Sequence, residues 1–203
     1  MERINRPSHL DIHPTPAALP PEPAEEQSFI TATAAAQMIG CSSRALGKLV
    51  DAGLVDTAFS DSGRRTLYSE LDCQEIAVFT PADIAALGDI PLLAVHVNGP
   101  TYDPVTIAGF VRTDAGYAPG IHHNSWTGWW PMTGETATSF HGGLIVPSLG
   151  GFVPQGAVRW IVGHDIVSGR VAFTTESVDD ATASRLTGAR FKAAPGNIWQ
   201  RLN

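Results

Sequence analysis

The sequence predicts an α+β protein: two short helices, a hairpin and a third helix come first, and a mostly antiparallel β-rich region with a C-terminal helix follows. Three observations carry this prediction. Residues 30–54 hold two helix-periodic apolar runs separated by a tight turn. Residues 92–176 hold short β-branched and aromatic runs punctuated by Gly, Pro, Asn and Asp. Residues 177–188 have the pattern of one further helix, which Ser177 is expected to cap and Gly188 to end.

Composition limits the class of protein. Apolar residues make up 43% and charged residues 16% of the 203 residues, which favours a buried core over disorder. No apolar run approaches the roughly 20 residues of a membrane span, and the N-terminus lacks the apolar segment of a secretory signal, so we expect a cytoplasmic protein. Cys41 and Cys73 are then expected to be reduced thiols. The net charge of −7 disfavours bulk attraction to nucleic acid but permits a local basic patch.

The organisation along the chain begins with a Pro-rich arm. Residues 1–28 contain prolines spaced too closely for a helix, and we expect a disordered arm there, with a partner-binding tail as the alternative. Its prolines are Pro7, Pro14, Pro16, Pro20, Pro21 and Pro23. Residues 29–79 are predicted as the first compact unit. Residues 80–91 are predicted as a linker with a short helix, and residues 92–203 as the β-rich C-terminal domain.

Capping residues and apolar spacing define the first two helices. Thr31 precedes the first and Gly40 ends it, whereas Ser42 precedes the second and Gly53 ends it. Each helix has a predicted inward face, formed by Ala32, Ala35, Ala36 and Ile39 in the first and by Leu46, Leu49 and Val50 in the second. Two short helices joined by a three-residue turn are typical of a helix-turn-helix.

A hairpin and a third helix are predicted next. The turn residues Asp61-Ser62-Gly63 lie between two short apolar runs, which places Arg64 and Arg65 near the tip of a hairpin. Ser69 and Asp72 then have the spacing of a capping box. The third helix is expected to complete the core of this unit with Leu71, Ile76 and Phe79.

Residues 30–79 resemble the winged helix-turn-helix of the MerR-like and excisionase-like superfamily. The resemblance is carried by Ala35-Ala36, Ile39-Gly40-Cys41-Ser42, Arg44, Leu46, Leu49-Val50, Ala52-Gly53-Leu54, Gly63-Arg64-Arg65, Tyr68 and Asp72. It covers about a quarter of the chain and implies a DNA-binding module. The chain departs from the family at Gly47, where a larger residue is usual. It also lacks the coiled-coil dimerisation helix of MerR regulators, so inducer sensing of that kind is not implied.

The predicted DNA-binding residues lie on the second helix and the wing. Arg44 and Lys48 are four residues apart and share a helix face, from which a guanidinium can bind the O6 and N7 atoms of guanine. Hydroxyls at the helix start suit phosphates, and arginines at a wing tip suit the backbone or minor groove. The predicted set is Ser42, Ser43, Arg44, Gly47, Lys48, Arg64 and Arg65. A solvated helix face beside a surface turn is the alternative interpretation.

The C-terminal domain gives no specific catalytic signal. Histidines are its candidate metal ligands, but their spacing matches no known metal motif, and polar loop histidines are the alternative. These residues are His122, His123 and His141, with His164 and Asp165 from a later hairpin. Trp126, Trp129 and Trp130 indicate either an aromatic wall for a ligand or core packing. We therefore expect no enzyme, no cofactor and no resident metal.

Together these patterns predict a sequence-specific transcriptional regulator, either a repressor or a control protein of a mobile element. Its expected partner is double-stranded DNA, bound by a homodimer. The C-terminal domain would then serve oligomerisation, sensing of a small molecule or protein, or further DNA contact. One alternative is an enzymatic or effector β-domain, possibly metal-dependent, that the helix-turn-helix targets or autoregulates. Another is an interaction protein whose helix-turn-helix contacts protein.

Overall fold

The computed structural model describes residues 27–60, 63–100, 105–107, 110–112, 116–120, 124–192 and 197–203. Within these residues the chain has the predicted α+β class, with helices and several sheets. The predicted Pro-rich arm lies outside the described residues except for Gln27 and Ser28. No helix in the described ranges is both long and apolar enough to span a bilayer.

Two short helices open the fold, preceded by strand β1 (Phe29–Thr31). Helix α1 covers Ala32–Ile39 and helix α2 covers Ser43–Asp51. The predicted caps are confirmed, since Thr31 Oγ1 accepts from the Ala34 N–H at 3.4 Å and Ser42 Oγ from the Ala45 N–H at 3.2 Å. Gly40 ends α1 with a φ of 67°, a left-handed conformation that glycine adopts without strain.

The predicted strand pair and third helix are also present, and Asp61 and Ser62 of the predicted turn lie outside the described residues. Strands β2 (Thr57–Phe59) and β3 (Thr66–Ser69) pair antiparallel, and β1 adds to the other edge of β3. Helix α3 (Glu70–Ala77) begins at Ser69, whose Oγ accepts from the Asp72 N–H at 3.3 Å. The predicted core position of Leu71 is wrong, because its side chain is 54% exposed. The predicted core position of Ile76 is confirmed, and Cys73, three residues earlier, shares its buried face.

Residues 80–91 hold more structure than the predicted linker. Strand β4 (Thr80–Pro81) pairs in parallel with residues 189–190 near the end of the chain. The predicted helix is a single 3-10 turn, Ala85–Leu87, which ends at Gly88. Leu87 is 4% exposed and packs into the apolar core of the C-terminal half. This segment is therefore anchored by the pairing of β4 and by the buried side chain of Leu87 rather than free between two units.

A mixed sheet dominates the C-terminal half. Its strands are β5 (Leu92–His96), β8 (Trp130–Pro131), β9 (Leu144–Ser148), β10 (Arg159–Val167), β11 (Arg170–Ser177) and β13 (Trp199–Arg201). They occur in the spatial order β13-β5-β9-β10-β11-β8, and only the β5–β9 pair is parallel. Outside this sheet, β6 (Val105–Ile107) pairs with β7 (Phe110–Arg112), and β12 (Ala189–Arg190) pairs with β4. The sheet is mostly antiparallel, as predicted.

Three further helices flank this sheet: α4 (Asn124–Thr127), α5 (Gly134–Thr138) and α6 (Asp180–Leu186). The prediction that Ser177 caps the last helix is wrong, because β11 continues through Ser177. Asp179 is the cap, with its Oδ1 accepting from the Thr182 N–H at 2.9 Å. Ser177 and Asp179 both precede the helix in the sequence. Because β11 extends through Ser177, Asp179 is the residue that caps the helix.

One apolar core spans both halves of the chain. It includes Ile39, Leu46 and Ile76 from the helical unit together with Phe152 and Ile161 from the C-terminal half. A second cluster fills the other side of the sheet, around Leu92, Leu144 and Leu186. The helical unit therefore rests on the sheet domain through a shared buried surface.

Candidate nucleic-acid interface

The N-terminal turn of α2 faces solvent. Ser42, Ser43 and Arg44 are all exposed. Ser42 Oγ already accepts the capping hydrogen bond, so its hydroxyl hydrogen stays available as a donor. Within the described residues, the Arg44 guanidinium makes no hydrogen bond or ion pair. A free guanidinium on an exposed helix start is the geometry that major-groove contact requires.

The next turn of α2 is only partly available. Gly47 leaves open space, because a Cβ placed there would meet no atom within 4 Å. Lys48 is half-buried and its Nζ donates to the Val97 carbonyl at 3.3 Å. Burial lowers the pKa of Lys48, and the nearby charge of Arg44 lowers it further. The prediction placed Lys48 on the free face beside Arg44, but the structure directs its ammonium to the C-terminal half.

The turn of the β2–β3 hairpin carries two further exposed arginines. Arg64 and Arg65 both face solvent, and neither guanidinium has a hydrogen-bond partner among the described residues. Backbone bonds close the turn, with the Ser60 N–H donating to the Arg65 carbonyl at 2.9 Å. The Gly63 N–H donates to the Ser60 carbonyl at 2.6 Å. A hydrogen-bonded turn thus presents two adjacent cations.

Close backbone contacts fix α2 against the C-terminal half. A Cβ on Gly99 would lie 2.4 Å from the backbone carbonyl carbon and oxygen of Asp51, at the end of α2. A Cβ on Gly150 would lie 2.7 Å from Ala45 Cβ, near its start. Both glycines therefore permit an approach that any side chain would prevent. The helix is held near both ends and leaves its outward face free.

Arg190 supports the turn between α1 and α2, a role that the sequence does not predict. Its guanidinium donates to the Ile39 carbonyl at 3.4 Å and also to the Gly40 carbonyl. The same guanidinium lies 4.8 Å from the ring centroid of Phe152. Carbonyls at the end of a helix lack partners within the helix, and a cation there satisfies them.

The candidate metal ligands are brought together only in part. His141 Nε2 and His164 Nδ1 lie 2.7 Å apart, with ring centroids separated by 4.9 Å. His122 and His123 lie outside the described residues. Asp165 follows His164 along β10, so its side chain points to the opposite face of the sheet. Within the ranges that the structure describes, no group of three or more His, Cys, Asp or Glu side chains is placed to hold a metal ion.

The three tryptophans do not form one wall. Trp126 is 3% exposed and belongs to the shared core, whereas Trp129 and Trp130 are half-buried. Trp130 Nε1 donates to the Trp126 carbonyl at 3.1 Å, and the Trp129 carbonyl accepts from Arg170 at 3.0 Å. Trp130 packs against the shared core, whereas Trp126 also lines a cavity between the helical unit and the C-terminal half.

Comparison of the chain with protein-family models, with curated proteins and with solved structures finds no match.

Proposed function

We propose that residues 30–79 form a winged helix-turn-helix and that the protein is a sequence-specific regulator of transcription that binds double-stranded DNA. The observation that carries this proposal is the joint exposure of Arg44 on the first turn of α2 and of Arg64 and Arg65 on the hairpin turn. None of the three guanidinium groups is engaged within the described residues. Helix, tight turn, helix, hairpin and third helix follow in the order that such modules use.

Each exposed group has a defined role in this proposal. Arg44 donates two parallel hydrogen bonds to a guanine edge in the major groove. Ser42 and Ser43 bind a phosphate at the start of α2, where the backbone N–H groups and the helix dipole favour an anion. Arg64 and Arg65 bind the adjacent backbone or minor groove. Lys48 contributes by fixing the helix on the Val97 carbonyl instead of by touching DNA.

The charge of the chain shapes the expected affinity. With a net charge of −7, attraction to DNA is confined to the local basic surface formed by these three arginines. A monomer with so few phosphate contacts binds weakly and with a strong dependence on salt. We therefore propose a homodimer, because two copies double the contact surface and match a two-fold symmetric site.

The dependence of DNA affinity on salt tests this proposal. Fluorescence anisotropy of a labelled random-sequence duplex gives the slope of log affinity against log salt. Loss of two phosphate contacts reduces that slope by about 2 per monomer, which is the expected effect of Arg64→Gln with Arg65→Gln. The matched control is Arg170→Gln with Arg185→Gln, which removes the same charge from exposed arginines elsewhere. Equal slopes for the two double variants would refute the proposed interface.

A further inference from the structure

A cavity of about 1060 Å³ lies where the helical unit meets the C-terminal half. Leu49 of α2 and Ile76 and Phe79 of the α3 region form one side. Tyr117, Trp126 and Phe152 form the other. Small-molecule sites usually have volumes of roughly 300–1,000 Å³ and apolar, aromatic walls, so this cavity is large enough for a ligand with several rings.

The aromatic walls are held in place by the surrounding structure. Phe79 and Phe152 make an edge contact, with ring centroids 6.0 Å apart and planes at 60°. The Arg190 guanidinium covers the Phe152 ring at 4.8 Å. The Trp126 carbonyl accepts from Trp130, and its indole is 3% exposed. A ligand would therefore meet rigid surfaces and lose little free energy in ordering them.

Within the part of the chain that the structure describes, two charged side chains line the cavity, and they differ in burial. Glu75 is exposed on α3, so it lies where water reaches the opening. Arg159 on β10 is half-buried and donates from Nη1 to Ser177 Oγ at 3.1 Å. Its Nε is buried with no hydrogen-bond partner among the described residues. A half-buried cation with unused N–H groups favours an anionic group, and a carboxylate fits the planar guanidinium.

Tyr117 supplies a neutral hydrogen-bonding group on the same wall. Its hydroxyl donates to the Gln155 carbonyl at 3.3 Å, which leaves the phenolic oxygen free to accept. Burial raises the pKa of this phenol, so it carries no charge near neutral pH. Among the described residues, the charged side chains of the cavity are thus the half-buried cation of Arg159 and the exposed carboxylate of Glu75, and Tyr117 adds a neutral hydroxyl.

We propose that this cavity binds a small molecule with fused or linked aromatic rings and one carboxylate. The rings lie against half-buried Phe79, beside the almost fully buried rings of Trp126 and Phe152, and the carboxylate accepts hydrogen bonds from Arg159. Because Phe79 follows α3 and Tyr117 belongs to the C-terminal half, the ligand contacts both halves of the molecule at once and stabilises one placement of the helical unit. The consequence for DNA affinity rests on the proposed function, whereas ligand binding itself does not.

Ligand-observed NMR on the full chain without DNA tests the site. The probes are naphthoate, anthroate and biphenyl carboxylate, each compared with its amide. We expect the carboxylates to bind the wild-type protein and Arg159→Gln to weaken them about tenfold or more, because a charge-assisted hydrogen bond is lost. The amides should bind weakly and equally to both proteins. Failure of all three carboxylates to bind, or equal carboxylate affinity in Arg159→Gln, would overturn the proposal.

Substitutions at two exposed positions, one on α3 and one directly after it, test whether the ligand binds in the cavity without disturbing the core. Val78 is 74% exposed and lines the cavity, so Val78→Trp narrows the opening. Leu71 is 54% exposed and does not line it, so Leu71→Trp is the matched control. Carboxylate binding should be lost in the first variant alone. Equal binding in both variants would place the ligand elsewhere and contradict the proposal.

A separate titration distinguishes failure of this site from failure of the proposed function. DNA affinity is measured with and without saturating naphthoate. Binding of naphthoate without any effect on DNA overturns the coupling between the cavity and α2, while the ligand site stands. DNA binding without naphthoate binding overturns the ligand site and leaves the proposed function intact.

Discussion

The contact between Gly99 and the end of α2 yields the sharpest prediction about stability. In Gly99→Ala the added methyl would lie 2.4 Å from the Asp51 carbonyl carbon and oxygen, and backbone atoms cannot rotate away. The φ of Gly99 lies outside the left-handed region, so the cost is steric. Relief requires the loop to move off α2, which also weakens the hydrogen bond from Lys48 to Val97. Overpacking of about 1–3 kcal/mol and a lost hydrogen bond of about 1 kcal/mol give a destabilisation of about 2–4 kcal/mol.

Urea unfolding followed by tryptophan fluorescence measures this change. The matched control is Gly47→Ala on the same helix, where the new methyl meets no atom within 4 Å. Alanine favours the helix, so the control should gain about 0.5–1 kcal/mol. Opposite signs for two Gly→Ala changes are thus expected. A Gly99→Ala protein as stable as the wild type would refute the close contact between this loop and α2.

Three other predictions concern stability. Burial lowers the pKa of His96 below its usual 6.5. A hydrogen bond from Gln200 raises this pKa in part, and the charge of Lys48 lowers it further. The unfolded chain then binds a proton that the folded chain resists, so the free energy of unfolding should fall as pH drops below about 6.5. In His96→Gln the urea midpoint should change less with pH across that range than it does in the wild type. A pH dependence equal to that of the wild type would contradict this. Arg190→Met should cost about 2–3 kcal/mol by losing its carbonyl contacts, and a loss below about 0.5 kcal/mol would argue against them. Ser69→Ala should cost about 1 kcal/mol as a lost cap, and a neutral result in the same urea assay would disprove that role.

Local features of this fold were predictable from the sequence. Thr31, Ser42 and Ser69 each place an oxygen directly before a helix, and a cap acts over three residues only. Gly40 ends α1 for an equally local reason. The exposed position of Arg44 follows from helix periodicity relative to buried Leu46. These signals define the helices and the hairpin without knowledge of the rest of the chain.

The relation between the two halves was not predictable, because it depends on residues far apart in sequence. Lys48 shares a helix face with Arg44, and only the position of Val97 directs its ammonium away from solvent. Arg190 belongs to no motif, yet it supports the turn before α2. Periodicity allowed both Leu71 and Ile76 as core residues, but Ile76 is buried, together with Cys73, whereas Leu71 is exposed. Periodicity identifies a helix, whereas tertiary packing decides which side of it is buried.

We propose that the first turn of α2 binds specific DNA through Arg44 while the sheet domain holds the rest of the helix. Capture of sheared genomic DNA from the host by the purified protein, with sequencing of the retained fragments, tests it most directly. Arg44→Ala is compared with Arg185→Ala, which removes an equal charge from an exposed position on α6. We expect the wild type and Arg185→Ala to enrich the same few sites and Arg44→Ala to enrich none. Identical enrichment by all three proteins, or none by the wild type, would contradict it.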